Sequence, residues 1–264
     1  MKESIKTLVG QSIFASGLHT ALLRNAAVVV AFHRVRDTDQ PEALSVGVRT
    51  FERYCRFFSR HFRVVPLRDL VDKLERGVKP HHELAITFDD GYRDNFENAA
   101  PILERYSLPA TFFVVTQWMG TDIVPWWDHN KGLRYPWMSW DEVRSLHERG
   151  FEIGSHTRTH VDLGSAESLR AAGEILGARR DLEHQLSAPA QLFAYPYGRP
   201  GNLAAANRDL VREAGFRCCC SCFGGVVDVD TDPFHLTRIP ISSHQISPHQ
   251  FGFELALGRG VTHA

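Results

Sequence analysis

The most informative part of this sequence is the stretch Leu84-Ala85-Ile86-Thr87-Phe88-Asp89-Asp90-Gly91. Its apolar part predicts a β-strand, and two adjacent carboxylates stand directly at the carboxyl end of that strand. Adjacent side chains of a regular strand point to opposite faces, but at a turn, which Gly91 permits, both carboxylates can aim into one pocket. Two neighbouring carboxylates resist joint ionisation unless a cation offsets their repulsion, so a metal ion is an attractive partner. A solvated turn in which an aspartate caps the next helix is the alternative.

Short apolar runs of this kind alternate with helical patterns along most of the chain. Eight strands are predicted, at Val28–Phe32, Phe62–Val65, Leu84–Phe88, Thr111–Val115, Phe151–Ser155, Gln191–Tyr195, Phe216–Ser221 and Leu236–Pro240. Helices are predicted at about 49–60, 67–77, 94–106, 139–149, 165–186 and 202–214, with Ser139 and Ser165 as N-caps. The alternation is typical of repeated βα units and a largely parallel sheet. It predicts an α/β protein with a closed or nearly closed barrel, although an open doubly wound sheet would show the same local pattern.

The composition excludes several classes of function. The 264 residues include 30 Lys+Arg and 31 Asp+Glu, and the formal charge of -1 supplies no field for a phosphate backbone, so no nucleic acid partner is expected. The longest apolar run, from Ala26 to Phe32, is far shorter than the roughly 20 residues that a membrane-spanning helix needs. We expect a helical N-terminal extension over residues 1–26 and one domain over residues 27–264.

The N-terminal segment lacks the compact apolar stretch of a secretory signal, since polar and charged residues interrupt a weakly amphipathic pattern. We therefore expect a cytoplasmic protein. Peripheral contact with a membrane is the second expectation for this segment. It would use the apolar residues Ile13, Phe14, Leu18, Leu22 and Leu23.

A second polar cluster ends another predicted strand. The stretch from Phe151 to His160 reads FEIGSHTRTH and places His156 and His160 four residues apart. On a helical turn these positions share a face, and two neutral imidazoles suit Zn²⁺ or a similar borderline metal. Since no carboxylate lies between them, a general base must come from elsewhere in the chain. A surface pair is the alternative, but two polar motifs at strand ends would open on the same face of a barrel.

Two further strand ends carry candidate groups. In Phe193-Ala194-Tyr195-Pro196-Tyr197-Gly198, a rigid proline and a permissive glycine fix the direction of a backbone N–H, which is what an oxyanion requires. An ordinary tight turn has the same features. His33 ends the apolar run that begins at Val28, a position where a lone histidine is more often structural.

All five tryptophans lie in or beside the long connection between Val115 and Ser139. They are Trp118, Trp126, Trp127, Trp137 and Trp140. Long loops in a compact domain are commonly functional, and indole faces are good platforms for sugar rings. A lid that packs its aromatic side chains on the barrel is the alternative, and the two interpretations are compatible.

Four of the five cysteines crowd into the short segment from Arg217 to Cys222. Alternation along a strand would place Cys218, Cys220 and Cys222 on one face. Cys219 and Cys222 form a C-x-x-C, but no second pair is present. We expect small buried core residues, with redox or metal chemistry as the alternative.

In this order, TFDDG, HTRTH and YPYG resemble the motifs of the polysaccharide deacetylase family, the NodB-homology domain of carbohydrate esterase family 4. The similarity runs from about Val28 to Ile241. It implies a NodB-like fold, a distorted (β/α) barrel of seven or eight mostly parallel strands. It also implies a hydrolase that removes N-acetyl, less often O-acetyl, groups from glycans with a divalent metal, for which we prefer Zn²⁺ over Co²⁺ or Ni²⁺.

The resemblance also implies a role for each matching residue. Asp89 resembles the general base, and the backbone at Tyr197 resembles the oxyanion donor. The metal ligands correspond to Asp90, His156 and His160. Substrate contacts are expected from the aromatic and proline side chains near this face, Trp126, Trp127, Tyr195 and Pro196.

One departure from the family pattern concerns the base. An arginine that orients it commonly opens the third motif, where Phe193-Ala194-Tyr195 stands here. That role would pass to Arg93, Arg199 or Arg238, or be absent.

A second departure concerns the general acid, because the family's late leucine-histidine motif is not evident. The opening FHRV is similar to the start of a subgroup with a rearranged strand order that acts on poly-N-acetylglucosamine and uses an N-terminal histidine as the acid. In a closed barrel the first and last strands are neighbours, so either end of the domain can place an imidazole there. We prefer His33 over the loosely placed His244 and His249.

The function expected from these observations is removal of acetyl groups from N-acetylglucosamine-type units of a polysaccharide or of a lipid-linked sugar precursor. One alternative keeps the metal and changes the substrate to a small non-sugar amide, as in other members of the superfamily. The other is a glycan-binding relative that has lost catalysis with the missing arginine.

Overall fold

The computed structural model describes residues 2–38, 42–243 and 247–256. The strands are β1 (Ala27–Phe32), β2 (Arg34–Val35), β3 (Ser45–Val46), β4 (Arg63–Val64), β5 (Glu83–Phe88), β6 (Thr111–Val114), β7 (Glu152–Ser155) and β8 (Ile239–Pro240). The main sheet has the order β7-β6-β5-β1-β8, with β4 beside β5, and all its pairs are parallel. A small separate sheet pairs β2 with β3.

Single bridges continue this sheet around the barrel. They join Ser155 to Phe193, Ala194 to Cys220, and Cys220 to Leu236. Since β8 then pairs with β1, the predicted α/β barrel is confirmed, but the strands expected at 191–195 and 216–221 are reduced to bridges. The barrel is distorted at β5, because β1 pairs along one whole edge of that strand while β4 and β6 share the other.

Helices surround the barrel and largely match the predicted ones. They are α1 (Lys2–Ala15), α2 (Leu18–Leu22), α3 (Val48–His61), α4 (Leu67–Glu75), α5 (Ala100–Arg105), α6 (Trp126–His129), α7 (Trp140–Glu148), α8 (Ser168–Leu186), α9 (Ala205–Glu213) and α10 (Pro248–Ala256). Ser139 caps α7 in a capping box with Glu142, as expected. The expected cap at Ser165 is wrong, because Ser165 lies in a turn on Asp162 and Glu167 occupies the N-cap of α8.

The two faces of the barrel strands have different partners. The interior cluster contains small side chains such as Ala27, Ala85 and Ala194 together with larger ones such as Phe113 and Leu236. Side chains on the other face, among them Val28, Phe32 and Phe88, pack in the second core cluster with residues of α3 and α5. Because both faces are buried, these strands are continuous apolar runs in the sequence.

The N-terminal helices pack against the barrel through only part of their apolar surface. Phe14 and Leu23 are buried, whereas Leu18 and Leu22 are half exposed, so the expected membrane-contact set is divided between core and surface. Gly10 lets α1 approach α10 closely, because a Cβ there would lie 2.0 Å from the carbonyl oxygen of His249. Among the described residues, no helix is long and apolar enough to cross a bilayer.

Four histidines from separate segments gather under these helices. His19 lies 5.3 Å from His61 and 5.2 Å from His82 between ring centroids, and Phe57 lies 5.4 Å from His249. Burial lowers the pKa of all four imidazoles, that of His61 to about 4. Each of them therefore binds a proton more readily in the unfolded chain than in the folded one.

We predict that this cluster makes the protein sensitive to acid. Stability should be lost as the pH falls below about 6.5, the ordinary histidine pKa, toward the lower pKa values of the folded state. From about pH 7.5 to about pH 5, we expect Tm to fall by roughly 4 °C more in the natural chain than in a His19→Gln/His61→Gln double variant. Differential scanning calorimetry measures this difference. The exposed His184→Gln is the control, and an equal fall in all three proteins contradicts the prediction.

Candidate active site

The carboxyl end of β5 delivers two carboxylates to the mouth of the barrel. Ala85, Thr87 and Asp89 alternate along the strand on the face that points into the barrel. Asp90 has a left-handed backbone with a φ of +74°, so the chain turns there instead of continuing the alternation. Both aspartate side chains are therefore buried at the same end of the barrel.

Asp90 meets both histidines of the second motif. Its Oδ1 atom lies 3.4 Å from Nε2 of His156 and 3.3 Å from Nε2 of His160. His156 follows β7 directly, and its Nδ1 lies 2.8 Å from the carbonyl oxygen of Ala194. We assign the proton to Nδ1, which satisfies that carbonyl and leaves the Nε2 lone pair facing Asp90. Three groups that are far apart in the sequence thus converge on one point.

The cluster leaves polar atoms without hydrogen-bond partners. Oδ1 of Asp90 and Nδ1 of His160 are buried, and neither has a hydrogen-bond partner among the described residues. The backbone is also strained, since Asp90, Thr157, His160 and Tyr197 all have φ values between +60° and +74°. Such a residue costs about 1–3 kcal/mol, and this strain concentrates at functional sites. A cation held by the cluster would offset both costs.

The distances fit a shared metal ion. Two ligand atoms about 2.05 Å from a tetrahedral Zn²⁺ lie roughly 3.3 Å apart. Two imidazole nitrogens and one carboxylate oxygen form a donor set that Zn²⁺, Co²⁺ and Ni²⁺ all accept. Within the described part of the chain, Asp90, His156 and His160 form one of two groups that could hold an ion. The residues present therefore fit the divalent metal that the sequence analysis expects.

The charges in the cluster support each other. Burial opposes the ionisation of Asp90, but the two neighbouring imidazoles outweigh it and hold the pKa of Asp90 well below its ordinary value. Burial likewise opposes a charge on His156, yet the carboxylates of Asp90 and Asp89 raise the pKa of that imidazole. The site is thus built around a charged carboxylate that needs positive charge nearby.

Arg238 holds the other carboxylate in a bidentate ion pair. Its Nη1 and Nη2 atoms each lie 2.7 Å from an oxygen of Asp89, and neither residue is more than 2% exposed. The guanidinium also donates to Thr87 Oγ1 at 3.0 Å and to the carbonyl of Ser221. Burial opposes the ionisation of Asp89, but the charge of Arg238 outweighs it and lowers the pKa of the carboxyl. Asp89 is therefore ionised and fixed in direction.

Of the three arginines considered for the missing position of the third motif, Arg238 is the one that pairs with Asp89. Of the three candidates, Arg93 lies at the surface and pairs with Glu142 at 2.8 Å, and Arg199 is exposed. Arg238 directly precedes β8, which neighbours β1, which neighbours β5. The closed barrel thus brings the end of the domain to the aspartates.

The third motif forms a turn against the metal cluster. The ring of Tyr197 lies 4.8 Å from that of His160, and its N–H donates to no acceptor among the described residues. Tyr195 is buried and donates its hydroxyl to the carbonyl of Gly198 at 3.2 Å, and Pro196 is buried as well. Tyr195 and Pro196 therefore brace the turn and present no open ring face.

His33 stands beside the ion-paired carboxylate. A ring nitrogen of His33, a carboxylate oxygen of Asp89 and Sγ of Cys222 all lie within 4.8 Å of one another. Burial lowers the pKa of this imidazole. His244 lies outside the described residues, and His249 belongs to the histidine cluster under the N-terminal helices.

The cysteine segment has the expected buried core position at three of its four cysteines. Cys218 and Cys220 share the barrel interior, with their sulfur atoms 4.0 Å apart, and Cys219 is equally buried. The expected core position is wrong for Cys222, because the chain bends at that residue after the bridge at Cys220, and Cys222 is half-buried beside His33.

The tryptophan-rich connection covers one side of the cluster. Trp118 stacks on His160 at 5.3 Å between ring centroids, and Trp127 lies 4.9 Å from the same imidazole. Trp126 is 61% exposed. The connection therefore packs most of its indoles against the barrel and leaves Trp126 exposed, in edge-to-face contact with Trp127.

A buried network that the sequence analysis missed holds this connection in place. Arg34 donates to Asp128 at 2.9 Å, and both side chains are almost completely buried. The hydroxyl of Tyr92 donates to the same carboxylate at 3.2 Å and accepts from the Trp127 indole at 3.1 Å. The network links the strand after His33 to the indole that contacts His160.

Comparisons with known proteins agree with this fold. The family model for polysaccharide deacetylase matches residues 76–219. A poly-beta-1,6-N-acetyl-D-glucosamine N-deacetylase of Staphylococcus aureus is 23% identical over 241 residues, which cover 83% of this chain and 79% of that protein. The deacetylase PplD of Streptococcus pyogenes, in complex with acetate, superposes with a TM-score of 0.72 at 18% identity, covering 86% of this chain and 96% of that one. IcaB from Ammonifex degensii gives a TM-score of 0.72 at 21% identity, covering 87% and 97%.

We predict that the three converging residues hold one divalent ion. Asp90→Ala and His156→Ala should each lower the affinity for the first equivalent of Zn²⁺ by more than about 100-fold, because each removes a direct ligand. Isothermal titration calorimetry and elemental analysis measure the affinity and the stoichiometry. Asp89→Asn is the matched control, since it changes the adjacent carboxylate and should leave this ion bound. Tight binding by His156→Ala contradicts the assignment.

Proposed function

This chain belongs to the polysaccharide deacetylase family, hydrolases of carbon-nitrogen bonds other than peptide bonds, and from that premise we propose that it removes acetyl groups from N-acetylglucosamine units of a glycan. The observation that carries the proposal is the convergence of Asp90, His156 and His160 beside the ion-paired Asp89. The name of the Staphylococcus aureus relative supports a β-1,6-linked polymer as the substrate.

In this proposal Asp90, His156 and His160 hold a divalent metal, with Zn²⁺ preferred. When bound, the ion supplies Lewis-acid chemistry, which lowers the pKa of water and polarises a carbonyl group. Asp89 accepts a proton from the water that attacks the acetamide carbon. Arg238 positions this base, because two hydrogen bonds fix the plane of the carboxylate and keep it ionised.

Two further groups, the N–H of Tyr197 and the imidazole of His33, act on the carbonyl oxygen and on the nitrogen of the acetamide. The N–H of Tyr197 donates to the carbonyl oxygen of the acetamide as negative charge develops there. His33 donates a proton to the amide nitrogen as the carbon-nitrogen bond breaks, since expulsion of an amine anion is prohibitive; such help typically contributes ~10²–10⁴-fold. The products are acetate and a glucosamine unit.

Trp126 and Trp127 are the proposed contacts to the sugar, because Trp126 is exposed and Trp127 is half-buried beside His160. Tyr195 and Pro196 have an indirect role in this proposal, because they hold the turn that positions the N–H of Tyr197. A lipid-linked precursor is a second N-acetylated substrate, and the exposed Leu18 and Leu22 support peripheral contact with the membrane that would carry it.

Two other functions make different demands on this site. A glycan-binding relative that had lost catalysis would lack an arginine beside the base, whereas Arg238 pairs with Asp89 directly. Hydrolysis of a small amide uses the same metal cluster, and substrate comparison distinguishes it from the proposed function.

We predict metal-dependent acetate release from β-1,6-linked N-acetylglucosamine oligomers. Asp89→Asn should lower kcat by at least about 100-fold while the metal stays bound, because the base is lost and the ligands are not. The assay quantifies acetate from the oligomers, from a lipid-linked N-acetylglucosaminyl acceptor and from a panel of small amides. Preferred cleavage of a small amide contradicts the proposed substrate class, and full activity of Asp89→Asn contradicts the role of the base.

We also predict that Trp126 contributes to binding of a long substrate. Trp126→Ala should raise KM for oligomers by about 5–10-fold, the effect of losing roughly one aromatic contact, and leave kcat nearly unchanged. Steady-state kinetics on oligomers of increasing length measure this split. Ile123→Ala is the control, because it removes an exposed apolar side chain from the same connection. A loss of kcat without a change in KM would refute a binding role.

A further inference from the structure

A half-buried thiol lies next to the proposed acid and base and has no part in the mechanism above. Cys222 is the residue at which the chain bends out of the cysteine segment, and its backbone is tied to the catalytic groups on both sides. Its N–H donates to the carbonyl of Gly198 at 2.9 Å, and the carbonyl of the preceding Ser221 accepts from Arg238. A Cβ on Gly198 would lie 2.2 Å from the Cβ of Cys222, so the turn and this cysteine are in direct contact.

We propose that His33, Asp89 and Cys222 form a second cation site. It takes a thiophilic divalent ion such as Zn²⁺ or Cd²⁺ when the ion is present in excess of the amount that fills the first site. The three ligand atoms lie within 4.8 Å of one another. An imidazole nitrogen, a thiolate and a carboxylate oxygen are a donor set for which both ions are suited, whereas Mg²⁺ prefers oxygen ligands alone.

The site needs only a small adjustment to close on an ion. Neighbouring ligands of a tetrahedral ion lie roughly 3.3–3.8 Å apart, so the separation has to shrink by at most about 1.5 Å. Arg238 fixes Asp89, and the adjustment therefore falls on the other two side chains. Both are only partly buried, and rotation about their Cα–Cβ bonds moves the sulfur and the ring without moving the backbone.

Binding also changes the charge of the thiol. Burial raises the pKa of Cys222 to about 12, so the sulfur carries its proton at neutral pH. The incoming ion replaces that proton, which leaves to solvent, and the bond that forms is between the ion and the thiolate sulfur. The positive charge of Arg238 beside Asp89 makes this site weaker than the cluster around Asp90, with which no arginine of the described residues forms an ion pair. An excess of metal is therefore required to fill it.

The consequence for activity rests on the proposed function. His33 and Asp89 are the proposed acid and base, and an ion that binds both removes the proton donor and the proton acceptor together. Thiophilic ions should thus support activity at equimolar amounts and inhibit it in excess. Hard ions such as Mg²⁺ should not inhibit.

The test uses the full chain with its first site filled by Zn²⁺ and a rising excess of Cd²⁺. Equilibrium dialysis counts the bound ions, and ultraviolet absorption detects a bond between thiolate and cadmium. We expect the natural chain to bind a second ion with thiolate absorption, and Cys222→Ser to lose that second ion and the absorption. Cys219→Ser is the matched control, because it removes a thiol three residues away that is fully buried in the core.

Acetate release is measured in the same samples, each relative to its own rate at equimolar metal. An excess of about ten times the dissociation constant of the second site should lower the rate of the natural chain about tenfold. The rate of Cys222→Ser should fall less than about twofold, because its second site stays mostly empty at that concentration. A single bound ion in the natural chain, or a second ion that Cys222→Ser retains, overturns the proposal. If no variant releases acetate but the thiolate absorption still depends on Cys222, the second site stands and the proposed function fails.

Discussion

The candidate site depends on one close approach, in which Oδ1 of Asp90 lies 3.3 Å from Nε2 of His160 and 3.4 Å from Nε2 of His156. All three side chains are buried, and the carboxylate oxygen forms no hydrogen bond with either imidazole. Oδ1 of Asp90 has no hydrogen-bond partner among the described residues, so its desolvation raises the free energy of the folded chain unless a cation binds it. The left-handed backbones at Asp90 and His160 add strain at the same place. A site that carries both costs is typical of a built ligand centre.

Neighbouring Asp89 and Asp90 illustrate how one fold keeps two adjacent carboxylates ionised. Each has its own partner, a guanidinium for Asp89, and for Asp90 the two imidazoles together with the ion that they would share. The turn at Asp90 separates the two environments although the residues are adjacent in the chain. In the proposed function Asp89 accepts a proton and Asp90 holds the metal, which is how environments divide roles between like groups.

Much of this site could be predicted from the sequence, since DDG, HTRTH and YPYG each follow an apolar run and parallel strands of a barrel end on one face. The arginine that pairs with Asp89 could be predicted only as one of three candidates. Its position follows from closure of the barrel between β8 and β1, which the sequence does not reveal. The expected core position failed for Cys222, because the chain bends there and leaves the side chain half-buried. The Arg34–Asp128 pair and the histidine cluster combine residues from separate segments, and no local pattern signals such contacts.

The most direct measurement of the central claim is an anomalous difference map, collected at the zinc absorption edge, from crystals of the chain grown with equimolar Zn²⁺. The account predicts one strong peak within about 2.0–2.2 Å of Oδ1 of Asp90 and of Nε2 of both His156 and His160. A peak elsewhere, away from these three atoms, would contradict the account. So would zinc-saturated crystals in which the three side chains hydrogen-bond to one another and hold no metal.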